Sequence, residues 1–505
     1  MLDLLIIHPG AAHGIYGSDL ADSLVAKEPP LWARLIAGYV RDRGFSVKII
    51  DAEADYKDPA LVAGAAVQNF EPRLVCIAVY GHQPSASTQQ MVGAGQTARE
   101  IKRINPDQKI IMVGGHVAAL PIQTLKEEPI DYACNGEGPS TILGLLHYLK
   151  GTPGSNLLLP DIPGLVYWRD QMTDKPSIER LPWQNKAAPL LDVNDLHGDA
   201  WDLLPMHLYR AHNWQCFGDL GARQPYASIY TSLGCPYKCS FCCINAPFGT
   251  NRYRMRRPHD VVNEMLKLYQ DYNVKTFKII DELFILNPKH YVEICEELDR
   301  LNLGEIFNIW AYARIDTVKE GHLDLLRKAG IRWLALGIES ASAHVRDGAA
   351  KAMKNDDITG VVQAIEAAGI HVIGNYIFGL PDDTAESMRA TLDLAVSLNT
   401  AFANFYSAQA YPGSPLYAQA VAEGKTLPAT WSGYSQHNSD CRPLDTNFLS
   451  AKEVLAFRDA AFTTYFTNPK YLEMVEAKFG PETLQHVRDM TKYKLERKLL
   501  KGEIE

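Results

Sequence analysis

Short apolar runs alternate with amphipathic stretches through residues 1–150. The runs predict strands at 4–7, 47–50, 74–79 and 110–113, with a weaker strand at 132–134. Between the strands, apolar residues recur at helical spacing, as Leu31, Leu35 and Tyr39 do. Strands that alternate with helices predict a doubly wound parallel sheet of the α/β class.

A second series of six strand–helix units follows. Its strands are predicted at 227–231, 276–280, 307–313, 332–337, 372–378 and 403–410, and its helices at 258–272, 288–302, 317–329, 356–368 and 384–398. If the strand at 372–378 alternates as expected, Tyr376 points into the sheet's interior and could neighbour a substrate. The six units predict a second α/β domain.

Four regions follow from these patterns, because 505 residues are too many for one ordinary core. Two large domains are expected at 1–150 and 225–425. Residues 151–224 lose the periodicity and predict an irregular linker with one hairpin at most. Residues 426–505 are mainly helical, and the capping box Ser450-Ala-Lys-Glu453 opens one of their helices.

The composition is typical of a soluble globular enzyme, with 47% hydrophobic and 22% charged residues. The net charge of -9 argues against a nucleic-acid partner, which would require a basic face. Arg252, Arg254, Arg256 and Arg257 form the one dense basic cluster and are expected in a solvated loop. No run approaches the roughly 18 apolar residues that span a bilayer, and the start lacks a cationic leader, so we expect a cytoplasmic protein without a membrane span.

Cys235, Cys239 and Cys242 lie in one short segment, Gly234-Cys-Pro-Tyr-Lys-Cys-Ser-Phe-Cys. A [4Fe–4S] cluster takes four ligands, so three thiolates would leave one iron open for a small molecule. The alternatives are a zinc knuckle or three buried thiols, but a structural zinc site needs a fourth ligand, and no second cysteine pair follows. Cys243 is expected to be a packed thiol.

Glycine-rich loops follow the predicted strands of the first domain. They are Tyr80-Gly81, Gly114-Gly115-His116 and Gly136-Glu137-Gly138. A ligand of a doubly wound sheet binds outside the carboxyl ends of the strands, where glycine lets the backbone approach a bulky flat molecule. The alternative is that these are ordinary turn glycines.

The cysteine segment resembles the radical S-adenosylmethionine (SAM) superfamily, because an apolar strand precedes it and Phe241 precedes the third cysteine. The resemblance implies an open, TIM-like (βα)6 partial barrel, with the cysteines holding the cluster and Phe241 beside the SAM adenine. It also implies SAM contacts for Glu339 and Ser340. Arg314 could hold the SAM carboxylate or pair with Asp316. Asp281 and Glu282 could reach SAM or cap the following helix.

The loops of the first domain, in the order Pro29-Pro-Leu, Asp51-Ala, Gly114-Gly-His and Gly136-Glu-Gly, resemble the cobalamin-binding domain of one radical SAM class. The resemblance implies a flavodoxin-like fold that binds cobalamin through Tyr80, Gly81, Gly114, Gly115, His116, Gly136, Glu137 and Gly138. The Asp-x-His-x-x-Gly segment that supplies an axial histidine in other cobalamin domains is absent. His8, His13, His82 and His116 are candidates by location, but we expect no histidine on cobalt.

Together the resemblances imply a cobalamin-dependent radical SAM C-methyltransferase with a [4Fe–4S] cluster, SAM and cobalamin as cofactors. A 5′-deoxyadenosyl radical would activate an unreactive carbon of a small metabolite or biosynthetic intermediate. The alternative is a nonmethylating enzyme of the same class that performs cyclisation, oxidation or ring rearrangement. The implied partners are a small-molecule substrate and an electron donor such as flavodoxin or ferredoxin.

Overall fold

The first sheet has seven strands in the computed structural model, which describes residues 2–17, 23–54, 58–81, 86–152, 157–172, 180–353 and 357–505. The strands are β1 (Leu4–His8), β2 (Val47–Asp51), β3 (Leu74–Val79), β4 (Ile110–Gly114), β5 (Tyr132–Cys134), β6 (Leu165–Trp168) and β7 (Pro182–Gln184). Their order is β2-β1-β3-β4-β5-β6-β7. β1 to β5 are parallel, whereas β6 and β7, from the predicted linker, add an antiparallel hairpin at one edge.

Helices cover both faces of this sheet. They are α1 (Ala12–Tyr16), α2 (Leu31–Arg41), α3 (Pro59–Asn69), α4 (Ala86–Ile104), α5 (Gly115–Ala119), α6 (Pro121–Glu127) and α7 (Pro139–Lys150). α2 and α7 pack on one face, and α3, α4 and α6 on the other. β1, β3 and β4 are buried along their whole length, as strands covered on both faces must be. The predicted doubly wound parallel sheet is confirmed.

The second large sheet has six parallel strands in sequential order. They are β8 (Tyr226–Ile229), β11 (Thr276–Ile279), β12 (Asn308–Arg314), β13 (Ile331–Glu339), β14 (His371–Phe378) and β15 (Phe402–Ser407). β8 and β15 are the two edges, so the sheet curves into an open partial barrel, as predicted. A separate short pair, β9 (Ser232–Leu233) and β10 (Arg254–Met255), follows β8.

Four of the five helices predicted between the barrel strands lie within two residues of their predicted bounds, whereas the helix predicted at 317–329 begins only at residue 323. With a short helix at 343–348 that was not predicted, six described helices lie between these strands. They are α8 (Pro258–Tyr272), α9 (Pro288–Arg300), α10 (Leu323–Lys328), α11 (Ala343–Gly348), α12 (Ile358–Ala367) and α13 (Ala385–Leu398). Proline at the first helical position starts α8 and α9, where the missing N–H costs nothing. None of the described helices is long and apolar enough to cross a lipid bilayer.

The C-terminal region is mainly helical and packs on the last barrel strands. α14 (Pro415–Ala422) precedes this region, whose helices are α15 (Ala451–Phe466), α16 (Pro469–Met490) and α17 (Lys498–Lys501). Ser450 and Glu453 form the predicted capping box at the start of α15. α16 is kinked at Gly480, which has φ +85° and precedes Pro481. Before α15, Trp431 packs edge-on against His116, so this region also contacts the first domain.

The prediction that Tyr376 faces the barrel interior is wrong. Tyr376 is fully buried in the core outside the strands and stacks on Phe405, with ring centroids 5.5 Å apart. Its neighbours Asn375 and Ile377 are partly exposed instead. Alternation requires Tyr376 and Asn375 to face opposite sides, and the apolar core gains more from the larger ring.

A buried charge network joins the two large domains. Glu264 on α8 accepts hydrogen bonds from Arg34 on α2 at 2.7 Å and from Arg256 at 2.6 Å. The indole N–H of Trp201 donates to the same carboxylate at 2.9 Å. Because all four side chains are almost completely buried, the charges must remain paired. The network therefore fixes how the first sheet sits against the barrel.

Candidate active site

The three cysteines lie on a loop that follows the first barrel strand. β9 and β10 pair antiparallel and close the base of this loop. Inside the loop, Asn245 accepts a hydrogen bond from the backbone N–H of Cys235 at 3.3 Å and donates to its carbonyl oxygen at 3.0 Å. The backbone N–H of Cys242 donates to the carbonyl oxygen of Cys239 at 3.1 Å. Backbone contacts thus shape the loop without using the thiols.

Gly234 is required where the chain enters the loop. Its φ of +83° lies in the left-handed region, and a methyl group there would collide with the carbonyl oxygen of Arg252. Gly249 leaves the loop with φ +62° but has open space around its Cα. Alanine at Gly249 would therefore cost only the strained backbone conformation, whereas alanine at Gly234 would add a steric collision.

Gly234→Ala is expected to displace the cysteine loop and to lower the iron content after anaerobic reconstitution severalfold. Gly249→Ala is the matched control, since it carries only the positive-φ penalty of about 1–2 kcal/mol. Iron analysis of both purified variants measures the difference. Equal iron contents in the two variants would show that the contact with Arg252 does not shape the site.

The environment of the cysteines fits a cationic centre. Burial raises the pKa of Cys235 to about 11 and raises the pKa values of Cys239 and Cys242 as well. Neutral thiols are poor ligands, so this donor set needs strong positive charge to form three thiolates, and iron would supply it. Arg314 adds positive charge, with Nη1 4.0 Å from the sulfur of Cys239.

The cysteines do not form a site for one metal ion. Within the part of the chain that the structure describes, no three His, Cys, Asp or Glu side chains come together to hold a single ion. A zinc site requires that convergence, whereas a cubane binds each cysteine at a different iron. The arrangement therefore fits a cluster better than a zinc knuckle. Cys243 is buried beside the loop, as expected of a packed thiol.

The predicted SAM contacts surround the carboxyl ends of the barrel strands. Phe241 packs on apolar residues that include Ala349, Leu380 and Leu416. Glu339 ends β13 with φ +63°, beyond an irregularity in the pairing of β13 with β14, and forms an ion pair with Lys351. A positive φ at a glutamate is uncommon and clusters at functional sites.

Three further predicted SAM contacts already have protein partners. Ser340 is buried, with its hydroxyl 3.2 Å from that of Thr391. Arg314 pairs with Asp316 at 2.9 Å and donates to the carbonyl oxygen of Ala352 at 3.0 Å. Asp281 accepts hydrogen bonds from the backbone N–H of Thr231 and from the hydroxyls of Thr231 and Ser232. Asp281 thus ties the end of β11 to the base of the cysteine loop.

A cavity open to solvent separates the carboxyl edge of the first sheet, at Trp32 and Tyr80, from the cysteine loop, at Gly234 and Phe248. It lies where β1 and β3 end, at the point where the strand order reverses and doubly wound folds bind ligands. Trp32 stacks on Tyr80 at 4.8 Å between ring centroids and lies 6.2 Å from Phe248 of the cysteine loop. Tyr80 also donates its hydroxyl hydrogen to the carbonyl oxygen of Glu137 at 2.9 Å.

The predicted cobalamin glycines form a low wall along this edge. Gly114, Gly136 and Gly138 have φ values of +152°, +147° and +108°. A methyl group at Gly114 would collide with the carbonyl oxygen of Val79, and one at Gly81 with Ala86. Gly115 lies beside Ser87 and, like Gly81, lines the cavity. Without side chains here, a broad planar ligand can approach the backbone, so the edge fits a corrin.

The described histidines near this edge have partners of their own. Nδ1 of His116 lies 3.2 Å from the hydroxyl of Thr88, and burial lowers the pKa of His116 to about 3. Nδ1 of His8 lies 2.9 Å from Asp51, which accepts a second hydrogen bond from Tyr209 at 2.8 Å. Burial opposes the charge on His8, but Asp51 outweighs it and raises the pKa. His82 and the side chain of His13 lie outside the described residues.

Glu137 connects the two domains at the site. Its carboxylate accepts hydrogen bonds from Arg254 on β10 at 2.5 Å and from the backbone N–H of Leu191 at 3.1 Å. The glycine-rich loop after β5 is therefore tied directly to the hairpin that closes the cysteine loop.

Comparison with protein families decides the class. Residues 17–146 match the B12 binding domain family, and residues 229–395 match the Radical SAM superfamily. The chain is a radical SAM enzyme with a B12-binding domain. The predicted resemblance is therefore confirmed, and the two matches contain β2 to β5 of the first sheet and β11 to β14 of the second.

Two relatives of this radical SAM enzyme extend over most of the chain. An uncharacterized methyltransferase of Pyrococcus horikoshii, PH0819, is 28% identical over 450 residues, or 88% of this chain and 89% of the relative. The anaerobic magnesium-protoporphyrin IX monomethyl ester cyclase of Rubrivivax gelatinosus is 27% identical over 422 residues, or 82% of this chain and 69% of the cyclase.

A solved structure shares the fold. The radical SAM methyltransferase TsrM from Kitasatospora setae, solved with cobalamin and a [4Fe–4S] cluster bound, aligns with a TM-score of 0.67 and 17% identity. The alignment covers 98% of this chain and 100% of TsrM. The arrangement of both sheets and of the C-terminal region is therefore that of a cobalamin-binding radical SAM fold.

Several polar side chains of this radical SAM enzyme were missed by the sequence analysis. Tyr312, Asn375, Asn404 and Tyr406 lie on one face of β12, β14 and β15, and each is partly exposed whereas the residues on either side of it in its strand are buried. The amide of Asn404 donates to that of Asn375 at 2.9 Å. These residues line the interior of the partial barrel. Polar residues at every second position of a strand could have indicated this interior face, but the strands were identified from their apolar residues alone.

Proposed function

We propose that this enzyme is a cobalamin-dependent radical SAM methyltransferase that methylates an unactivated carbon of a small metabolite or biosynthetic intermediate. The observation that carries the proposal is the cavity with the glycine-rich edge of the B12-binding domain on one side and the cysteine loop on the other. The relatives named as methyltransferases support the methylating alternative.

Cys235, Cys239 and Cys242 would hold the [4Fe–4S] cluster and leave one iron for SAM. Phe241, Glu339, Ser340, Arg314 and Asp281 would surround SAM at the carboxyl ends of the barrel strands. When bound, the cluster and SAM would supply a 5′-deoxyadenosyl radical, and the corrin would supply a methyl group. The protein's own contribution is to place the reactants together and to exclude water.

Cobalamin would bind along Tyr80, Gly81, Gly114, Gly115, His116, Gly136, Glu137 and Gly138. The Trp32–Tyr80 stack and Phe248 would supply an apolar wall that excludes water from the cavity when the groups are bound. Asn375 and Asn404 on the interior face of the barrel would offer hydrogen bonds to a substrate. We also propose that the enzyme acts in the cytoplasm and takes its electron from a flavodoxin or ferredoxin.

Labelled SAM tests the proposal. With [methyl-13C]SAM and the substrate pool of the source cells, a methyltransferase is expected to form S-adenosylhomocysteine and 5′-deoxyadenosine together and to place the label in a product. The cyclase relative supports the nonmethylating alternative, which would form 5′-deoxyadenosine without S-adenosylhomocysteine. Mass spectrometry of the three products separates the two. Formation of neither nucleoside by the reconstituted, reduced protein would contradict both.

A further inference from the structure

Two side-chain amides form a short hydrogen-bonded chain on the inner face of the partial barrel. Asn375 on β14 and Asn404 on the edge strand β15 are register partners, and both are partly exposed. Nδ2 of Asn404 donates to Oδ1 of Asn375 at 2.9 Å. Nδ2 of Asn375 donates in turn to the carbonyl oxygen of Leu336 at 3.2 Å. The chain of amides therefore ends on the backbone of β13.

This chain fixes which way both amides point. A backbone carbonyl can only accept, so Asn375 must turn its NH2 group toward Leu336 and its oxygen toward Asn404. Asn404 must then turn its own NH2 group toward Asn375. Within the parts of the chain that the structure describes, Oδ1 and the second N–H of Asn404 have no hydrogen-bond partner. Asn404 is thus left with one acceptor and one donor for a ligand.

The row of residues level with this amide pair carries no unpaired charge in the described chain. Its register partners on successive strands are Arg314, Gly337, Asn375 and Asn404. Arg314 is paired with Asp316 at 2.9 Å. A methyl group at Gly337 would collide with Lys351 and Glu339, so the ion pair of these two lies over the glycine. An anionic substrate would lose its hydration without gaining a free cation, so the row favours an uncharged one.

Apolar side chains border the amide pair along both strands. Ile373 and Phe402 are register partners one step toward the amino ends of the strands, and Ile377 and Tyr406 are partners one step toward the carboxyl ends. A few fixed polar groups within apolar walls orient a ligand without repelling its carbon skeleton. A polar row one residue wide therefore suits the polar edge of a planar ring.

The amide pair lies within reach of the proposed SAM contacts. Neighbouring strands are about 4.8 Å apart, so Asn404 on β15 lies about 10 Å across the row from Gly337 on β13. A molecule one or two rings wide spans that distance. A substrate bound to Asn404 would therefore extend toward the Glu339 end of β13.

We propose that the substrate is an uncharged planar molecule with a lactam-type edge, whose adjacent N–H and C=O are bound by Asn404. The substrate N–H would donate to Oδ1 of Asn404, and the substrate C=O would accept from Nδ2. Asn375 is a positioning residue that holds the amide of Asn404 in this orientation. The inference rests on the proposed function and names the substrate class of the same site.

Three small probes test the edge in the reconstituted holoenzyme, with SAM present and without a reductant. 5-Fluoro-2-pyridone has the N–H and C=O side by side, N-methyl-5-fluoro-2-pyridone lacks the donor, and 4-fluorobenzoate is an anionic ring. Fluorine NMR titration measures the Kd of each. We expect wild type to bind 5-fluoro-2-pyridone at least about tenfold more tightly than either comparison probe, because each of those leaves a group of Asn404 unpaired.

Variants separate the role of the amide from a general effect on the fold. Asn404→Leu should lose the preference for 5-fluoro-2-pyridone over its N-methyl derivative, and Asn404→Gln, which keeps an amide, should retain it. Asn375→Leu should weaken the preference, because the amide of Asn404 is then free to turn over. The matched control is Asn263→Leu, the same exchange at an exposed position of α8, and it should keep the full preference. Thermal melting by circular dichroism verifies that each variant is folded.

Equal affinity of wild type for the three probes, tighter binding of 4-fluorobenzoate or no binding of 5-fluoro-2-pyridone would overturn the proposal. A preference that survives in Asn404→Leu would overturn it as well. So would displacement of the pyridone by SAM, which would assign the amide to SAM itself. The labelled-SAM experiment tests the proposed function separately: if neither nucleoside forms, that function fails whatever the affinities of the probes show.

Discussion

Replacing any one of Cys235, Cys239 and Cys242 with alanine is expected to abolish cluster binding and SAM cleavage. Each thiolate would hold a different iron, and no three His, Cys, Asp or Glu side chains come together elsewhere in the described residues that could substitute. Iron should fall from about four atoms per chain, the content of one cubane, to near zero. Iron analysis, visible absorbance and chromatographic detection of 5′-deoxyadenosine measure the three effects.

Cys243→Ala is the matched control on the same loop. Its thiol is buried beside the loop, and its loss removes one sulfur from a packed site. We expect near-normal iron content and a modest stability loss of about 1–2 kcal/mol. If the cluster survived in Cys242→Ala but not in Cys243→Ala, the third ligand would be Cys243 and Cys242 would be the packed thiol. Bound zinc in the anaerobically purified wild type would contradict the cluster altogether.

Glu264→Ala is expected to cost about 3–5 kcal/mol of unfolding free energy, because it leaves two buried arginines without their shared carboxylate. Arg34 and Arg256 belong to different domains, so removing the Glu264 carboxylate should also weaken the packing of the first domain against the barrel. Urea titration followed by intrinsic fluorescence measures the stability. Hydrogen exchange at α2 measures the seating and should increase.

Asp260→Ala provides the control on the same helix. Asp260 forms an exposed ion pair with Arg257 at 3.8 Å, and such pairs contribute about 0–1 kcal/mol. If Glu264→Ala lowered the free energy of unfolding no more than Asp260→Ala does, the buried network would not hold the domains together.

Acid should weaken the same network. Burial disfavours the charge on Glu264, but Arg256 and Arg34 outweigh burial and lower its pKa below the ordinary 4.5. The stabilisation is therefore present above pH 4.5 and is lost as the pH falls through the folded-state pKa. The stability difference between wild type and Glu264→Gln should shrink in that range. A constant difference down to pH 3 would contradict the assignment of the charge.

The sequence was sufficient for the strands and for the cysteine loop because both are local. A strand of a doubly wound sheet is covered on both faces, so a continuous apolar run such as 74–79 identifies it without any contact from elsewhere in the chain. The spacing of Cys235, Cys239 and Cys242 likewise specifies a ligand set without any distant residue. The family matches agree with both predictions.

What the sequence could not supply depends on contacts between distant segments. Arg254 and Arg256 differ from Arg252 and Arg257 only in meeting Glu137 and Glu264, which lie elsewhere in the chain. The prediction for Tyr376 was wrong because a shift of one residue along a strand moves every side chain to the opposite face. The interior amide pair Asn375 and Asn404 becomes visible only when β14 and β15 are aligned.

Because Glu137 and Arg254 form an ion pair, a change in the glycine-rich loop after β5 also affects the hairpin that closes the cysteine loop, and the reverse. A substitution that repositions either loop moves its counterpart through a shared carboxylate 2.5 Å from the guanidinium. Natural variants should therefore replace these two residues jointly, and a chimera that borrows only one domain from a distant homologue should assemble poorly until the other half of the pair is transplanted with it.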